Sequence, residues 1–294
     1  MEPAANPTLA ALFATHALRL CPEGQPFWYT SGRLGPFYIN THFLFGGEPA
    51  AANLLDAIEQ QATADRLALP RIIGARIAAH TAQDTAFAGV IARLAEAARG
   101  LNFDFVSGGE RRDFFFSLPV ARILGVPHLC IFKDLDAVYT PADGGPSVPA
   151  EAASLSGRRA LHVADLVTEA SSYTRAWLPA LAALGVTMTA TLAVVDRDQG
   201  GREILAKQGV PLTALVRVDA AMLRVAQAQG LLTEAQYGMV LAFLRDPDAF
   251  VCDFLRDHPD FLAQQIALGG KAEERARRCM ALGLGGRRPQ ASPG

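Results

Sequence analysis

The residues best suited to chemistry lie in one stretch, Ala160-Leu-His-Val-Ala-Asp-Leu-Val-Thr-Glu-Ala-Ser-Ser-Tyr173. Leu161, Val163, Leu166 and Val167 read as a buried strand, and Asp165 interrupts them where the strand should end. Polar Thr168, Glu169, Ser171 and Ser172 follow, and a helix starts near Ser171 and Ser172. A strand that turns into a helix aims backbone N–H groups and the positive end of the helix dipole at one spot, a geometry suited to a phosphate. An acid just before such a loop can hold sugar hydroxyls. The same residues also suit a capped turn with no ligand, Ser171 or Ser172 being the N-cap. The stretch lacks the glycines of a P-loop and of a G-x-G-x-x-G fingerprint.

The elements that must position these groups alternate between strand and helix. Leu9, Leu12, Phe13 and Leu20 recur at helical spacing and predict a helix over 7–20. Two aromatic runs, Phe27-Trp28-Tyr29 and Phe37-Tyr38-Ile39, flank a Ser31-Gly32 turn and predict a small hairpin or hood. Helices are predicted over 48–66 and 78–99, with 67–75 as a link, and again over 114–124, 172–184 (Pro179 as a kink) and 203–207. Buried strands are predicted over 103–107, 126–132, 160–167, 186–195 and 210–216. That alternation argues an α/β fold, a parallel sheet flanked by helices. Polar clusters 107–113, 133–134, 165–172 and 196–202 each follow a predicted strand, where ligands bind in open α/β sheets. The segment 134–157 has no periodicity and suggests a mobile lid. From Asp219 onward the pattern is helical: Thr233 with Gln236 reads as a capping box, and Asp246-Pro247 as an N-cap with proline after it. The domain reading is an α/β domain over 1–218 with its hood at about 22–45, a helical extension over 219–284, and a disordered tail over 285–294.

Composition narrows the function classes. The chain has 294 residues, half of them hydrophobic, enough for a large core, and a net charge of −2. No basic stripe points to nucleic acid. Charged or polar residues interrupt every apolar run before it reaches membrane-spanning length, and the acidic N-terminus does not read as a signal peptide. Cys21, Cys130, Cys252 and Cys279 lie far apart without metal-ligand spacing, which suggests reduced thiols in a cytoplasmic protein.

In order and spacing, three segments resemble those of type I phosphoribosyltransferases, the orotate phosphoribosyltransferases most closely, over roughly residues 7–218. They are Thr30-Ser-Gly-Arg-Leu-Gly-Pro-Phe-Tyr-Ile-Asn40, the stretch 160–172, and Val194-Val-Asp-Arg197 with Gly200-Gly201. The resemblance implies transfer of a phosphoribosyl group between phosphoribosyl diphosphate (PRPP) and a pyrimidine base, by a homodimer, with Mg²⁺ bridging the diphosphate and sugar oxygens of PRPP; no protein metal ligand is singled out. It implies Phe37 and Tyr38 against the base, Arg197 facing the orotate carboxylate, and Thr168 touching base and loop. Asp165 would bind ribose hydroxyls, and Ser171 and Ser172 would cradle the 5-phosphate. Lys133 matches part of the Arg-Lys pair that leads into the catalytic loop.

The sequence also departs from that pattern. Ala164 replaces the first of two acids, and Glu169 and Ala170 stand where the loop has a small residue and glycine. Thr30 replaces a lysine, and 134–157 contains no Lys, Arg or His to meet a leaving diphosphate. Arg111 and Arg112 are candidates to supply that charge; they also suit a solvated turn paired with Glu110 and Asp113. Two further readings stay open. One is a catalytically inactive ligand sensor on the same fold, with Phe243, Phe250, Phe254 and Phe261 as a partner face. The other is an enzyme acting on a different phosphorylated sugar. His162, Asp104 and His128 read as structural.

Overall fold

A computed structural model describes residues 6–22 and 24–284. In chain order the elements are α1 (Pro7–Ala14), β1 (Leu18–Leu20), β2 (Phe27–Trp28), β3 (Leu34–Gly35), β4 (Phe37–Ile39), α2 (Glu48–Ala64), α3 (Leu69–Thr81) and α4 (Thr85–Ala98). There follow β5 (Phe105–Gly109), α5 (Phe114–Leu124), β6 (His128–Ile131), β7 (Ala137–Thr140), β8 (Val148–Pro149), β9 (Arg159–Val167), α6 (Leu178–Ala183) and β10 (Thr187–Asp196). The chain continues through α7 (Gly201–Lys207), β11 (Leu212–Arg217), α8 (Ala220–Ala228), α9 (Glu234–Arg245), α10 (Pro247–Asp257), α11 (Phe261–Leu268) and α12 (Gly270–Ala281). These elements form two compact units, one of 6–17 and 40–222, the other of 18–39 and 223–284.

The larger unit is built on a seven-stranded sheet of order β11-β10-β9-β5-β6-β7-β8. Strands β11 to β6 are parallel, and β7 and β8 add an antiparallel edge. Strand β9 runs between β10 and β5, and its residues 160–165 are all buried, as a strand covered on both faces requires. Phe87, Phe105, Phe114, Phe115, Phe116 and Phe132 are fully buried, each worth about 1.5–3 kcal/mol of apolar burial. Helix α5 is buried from Phe114 to Ala121 and stops at Gly125, whose φ of 65° is the left-handed cap that glycine accepts without strain.

Several local expectations are corrected here. The first helix ends at Ala14, because the chain turns at His16 with φ 56° and then enters β1. The expected link at 67–75 is mostly helix: Pro70 sits in the first turn of α3, where a missing N–H costs nothing. The single helix expected over 78–99 is two, divided where Asp84 caps α4 by accepting from Phe87 N at 2.9 Å. Segment 134–157 is not free lid: β7 and β8 pair it onto the sheet edge. Through 173–184 a π-helical turn, Tyr173–Trp177, runs into α6, with Leu178 N bonded to Tyr173 O, so the helix is widened just before Pro179. The expected tail at 285–294 lies outside the described residues.

In the smaller unit the aromatic hairpins form a core with the C-terminal helices, so the expected hood does not stay with the sheet: its residues up to Ile39 group with this unit. Trp28 stacks on Phe261 at 5.7 Å and donates to Gln265 Oε1 at 2.9 Å. Phe243 meets Tyr29 and Phe37 edge-on at 6.1 and 5.6 Å. Phe243, Phe250, Phe254 and Phe261 thus pack within this unit and against its hairpins. Gly32 is at φ 85°, and a Cβ there would lie 2.6 Å from Arg278 Cβ, so glycine is needed for both reasons. The Thr233–Gln236 capping box and the Asp246 cap form as expected.

Candidate functional site

Register places the carboxyl ends of β5, β6 and β9 along one edge of the sheet, and a cleft of about 380 Å³ opens there. Its lining comes from the turn after β5 (Glu110 to Asp113), from Lys133 after β6, and from Ala164 to Ser172 at the end of β9, with Tyr173 and Trp177 behind. Of the residues singled out in the sequence, Arg111, Arg112, Lys133, Asp165, Thr168, Ser171 and Ser172 meet in this cleft. Arg197 is not in its lining; its N–H donates to Val167 O at 2.8 Å. Phe37 and Tyr38 belong to the other compact unit. Phe37 is 3% exposed, a core ring and not a wall for a ligand, and Tyr38 is half-buried against Phe27 and Tyr29.

The loop at the end of β9 is shaped by its neighbours. Gly201 N donates to Thr168 O at 3.0 Å, and a Cβ on Gly201 would lie 2.5 Å from that oxygen. Only glycine lets the loops after β9 and β10 come this close. Ala170 adopts φ 50°, a left-handed conformation that costs an L-residue on the order of 1–2 kcal/mol. Its side chain is buried, which offsets part of that cost. Ser171 and Ser172 are exposed, and Ser172 makes no side-chain cap bond, so it is not a plain N-cap. Glu169 is exposed and forms no ion pair among the described residues.

Buried polar groups brace the cleft. Asp165 is 8% exposed, and its Oδ2 accepts from Thr41 Oγ1 at 2.8 Å. Asp113 Oδ1 accepts from Asp165 N at 2.9 Å, and its Oδ2 accepts from Gly109 N at 3.0 Å. His162 Nε2 stands 3.4 Å from the same Oδ2, and His162 Nδ1 is 3.0 Å from Ser107 Oγ. Burial, then the adjacent Asp113 charge, pushes the Asp165 carboxyl up to about 7, against the opposing pull of Arg112 and the Thr41 hydroxyl. His42, next to Thr41, is driven down to about 4 by burial and by the charges of Arg112 and Arg111.

The three cations of the cleft differ. Arg111 pairs with Glu59, not with Glu110 or Asp113. Lys133 lies 3.9 Å from Glu110 and its side chain is largely exposed. Arg112 is exposed and makes no ion pair among the described residues. His162 and His128 are buried, His128 bonded to Ser117 at 2.9 Å, and Asp104 pairs with Arg159 at 2.9 Å, so all three are structural as read. Thr41 and the bridging role of Asp113 were missed. Thr41 lies 124 residues from Asp165 with no signal linking them, and Asp113 looked like one more charge in a polar turn.

Sheet order and edge cleft together define a protein of the type I phosphoribosyltransferase fold. Two solved structures carry that statement. UMP synthase of Leishmania donovani aligns with a TM-score of 0.52 at 21% identity, over 83% of this chain and 42% of that one. Orotate phosphoribosyltransferase of Francisella tularensis aligns with a TM-score of 0.50 at 13% identity, over 81% of this chain and 96% of that one. Among curated proteins the chain is similar to orotate phosphoribosyltransferase of Halobacterium salinarum, 43% identical over 60 residues, 20% of this chain and 34% of the relative. That of Aquifex aeolicus is 39% identical over 63 residues, again 34% of the relative. The match thus spans about a third of each curated relative's length. No protein-family model matches the chain. No helix among the described residues is long and apolar enough to cross a membrane.

Proposed function

We propose that this protein transfers a phosphoribosyl group between PRPP and a pyrimidine base, orotate, as a homodimer. The observation that carries the reading is the convergence of Asp165, Thr168, Ser171 and Ser172 with Arg111, Arg112 and Lys133 in one cleft at the strand ends. The partial identity to orotate phosphoribosyltransferases supports the choice of base. In this reading Asp165 orients the ribose hydroxyls, and the N–H groups and hydroxyls at Ser171 and Ser172 receive the 5-phosphate. Arg112 and Lys133 offset the charge that develops on the departing diphosphate. The protein supplies position and charge, with no covalent nucleophile. Among the described residues no three His, Cys, Asp or Glu side chains are grouped to hold a metal. In this reading Mg²⁺ enters as part of the diphosphate substrate.

The test is PRPP-dependent loss of orotate absorbance with Mg²⁺ present, in wild type and Asp165→Asn. Turnover that Asp165→Asn abolishes supports the assignment; no turnover with saturating PRPP sinks it. The unpaired Glu169 in the phosphate loop favours a second reading, a ligand sensor on the same fold. That reading expects PRPP or another sugar phosphate to raise the melting temperature without turnover.

A further inference from the structure

Two strands deliver the loops that face each other across the cleft, and a single carboxylate joins their ends. Asp113 accepts the last N–H of β5 (Gly109, 3.0 Å) with one oxygen and an N–H within β9 (Asp165, 2.9 Å) with the other. It is 7% exposed. Behind it His162, with no exposed surface, stands with Nε2 3.4 Å from Asp113 Oδ2 but not hydrogen-bonded to it, and the imidazole is anchored through Nδ1 to Ser107. Gly109 itself is fixed by packing: a Cβ there would overlap the Trp177 ring, which also lines the cleft.

We propose that Asp113, with His162 packed behind it, is a positioning residue: it locks the ends of β5 and β9 together, and so holds Asp165 and the phosphate loop in register with Arg111 and Arg112. A carboxylate is required because both contacts are N–H donors. An amide in its place satisfies one donor and turns an NH₂ group toward the other. The arrangement has a second effect. Asp165 faces the Asp113 carboxylate and the Arg112 guanidinium from the turn after β5, the Thr41 hydroxyl from the 3₁₀ turn 41–44, and the Tyr173 phenol from the helix behind it. Burial raises the Asp165 carboxyl first, and the Asp113 charge beside it adds to that rise. Asp113 raises and Arg112 lowers the Asp165 carboxyl, so the two act on it in opposite senses.

The inference draws on the proposed PRPP reading only for its ligand readout. The experiment uses the full chain with Asp113→Asn, and follows amide hydrogen exchange at Gly109 and Asp165 together with the ¹³C carboxyl titration of Asp165. The expected result is faster exchange at those two amides, unchanged exchange at Leu192 and Ala193 in β10, and an Asp165 midpoint that moves down. PRPP affinity, by calorimetry with Mg²⁺, is expected to fall about tenfold, as loss of one buried charged hydrogen bond implies. Its pH midpoint should follow that of Asp165, which a purely structural role would not produce. A folded Asp113→Asn protein with unaltered exchange and midpoint overturns the proposal. If wild type binds no PRPP, the functional reading fails while exchange and titration still decide this one. If Asp113→Asn does not fold, His162→Gln and His162→Leu decide it by the same exchange and titration readouts. Gln keeps a polar group beside Asp113 and should stay closer to wild type than Leu, and equal behaviour of the two refutes a role for the His162 contact.

Discussion

Replacing Asp165 with asparagine should make this protein more stable in base and leave it less able to bind its ligand. In the folded state two carboxylates, Asp113 and Asp165, are buried close together, and Asp165 is pushed up from 3.8 to about 7. Between these values the folded chain holds a proton that the unfolded chain has released, so stability falls as pH rises through the window. Three units at about 1.4 kcal/mol each put the cost on the order of 4 kcal/mol above pH 7 as an upper bound. Asp165→Asn removes the ionisation, and the asparagine oxygen still accepts from Thr41, so little is lost in exchange. The assay is urea denaturation of wild type and variant at pH 4, 6 and 8, with unchanged m-values as the check that the unfolding reaction is the same. The variant should match wild type at pH 4, exceed it at pH 6, and exceed it most at pH 8. A stability difference independent of pH, or a variant weaker than wild type at pH 8, would refute the reasoning. Loss of PRPP binding in the same variant would identify the charged pair as stability given up for function.

Four other outcomes are expected. Arg112→Ala should weaken PRPP more than Arg111→Ala does, because Arg111 is already engaged by Glu59; calorimetry at two salt concentrations checks this, and equal losses contradict it. Glu169→Gln removes a like charge from the phosphate loop and should tighten PRPP binding severalfold, against which unchanged or weaker binding would count. Phe243→Ala should destabilise the smaller unit by about 3–5 kcal/mol in chemical denaturation, since that ring touches Tyr29, Phe37 and Phe250; a loss under about 1 kcal/mol would deny it a core role. His128 is held neutral by burial, its pKa down to about 3, so it withdraws stability as pH falls below 6.5 toward that value. His128→Gln should therefore shift acid unfolding to lower pH, followed by circular dichroism, and an unmoved midpoint would exclude His128 as a cause.

The strand-to-helix stretch was legible because its signals are local. An apolar run broken only by His162 and Asp165 and then followed by polar residues reads as a buried strand leaving the core, and β9 ends at Val167 in line with it. Helix α5 and the caps at Thr233 and Asp246 were legible for the same reason. The split of 78–99 at Asp84 was open to the same reasoning, since an aspartate that accepts from the third N–H after it is a local device. Segment 134–157 was harder: its strands are short and proline-bearing, and they exist because β6 offers them an edge.

Sequence by itself determined the parallel α/β core and which residues reach the strand ends, since side-chain period and capping chemistry act over a few residues. Tertiary structure alone decided that the aromatic hairpins pack with the C-terminal helices, that Phe37 is core, that Arg111 is engaged while Arg112 is not, and that Thr41 and Asp113 hold Asp165. The reason is physical. Which apolar faces meet, and which buried acceptor takes which N–H, depends on groups brought together over tens to hundreds of residues, and their spacing in the sequence carries no trace of it.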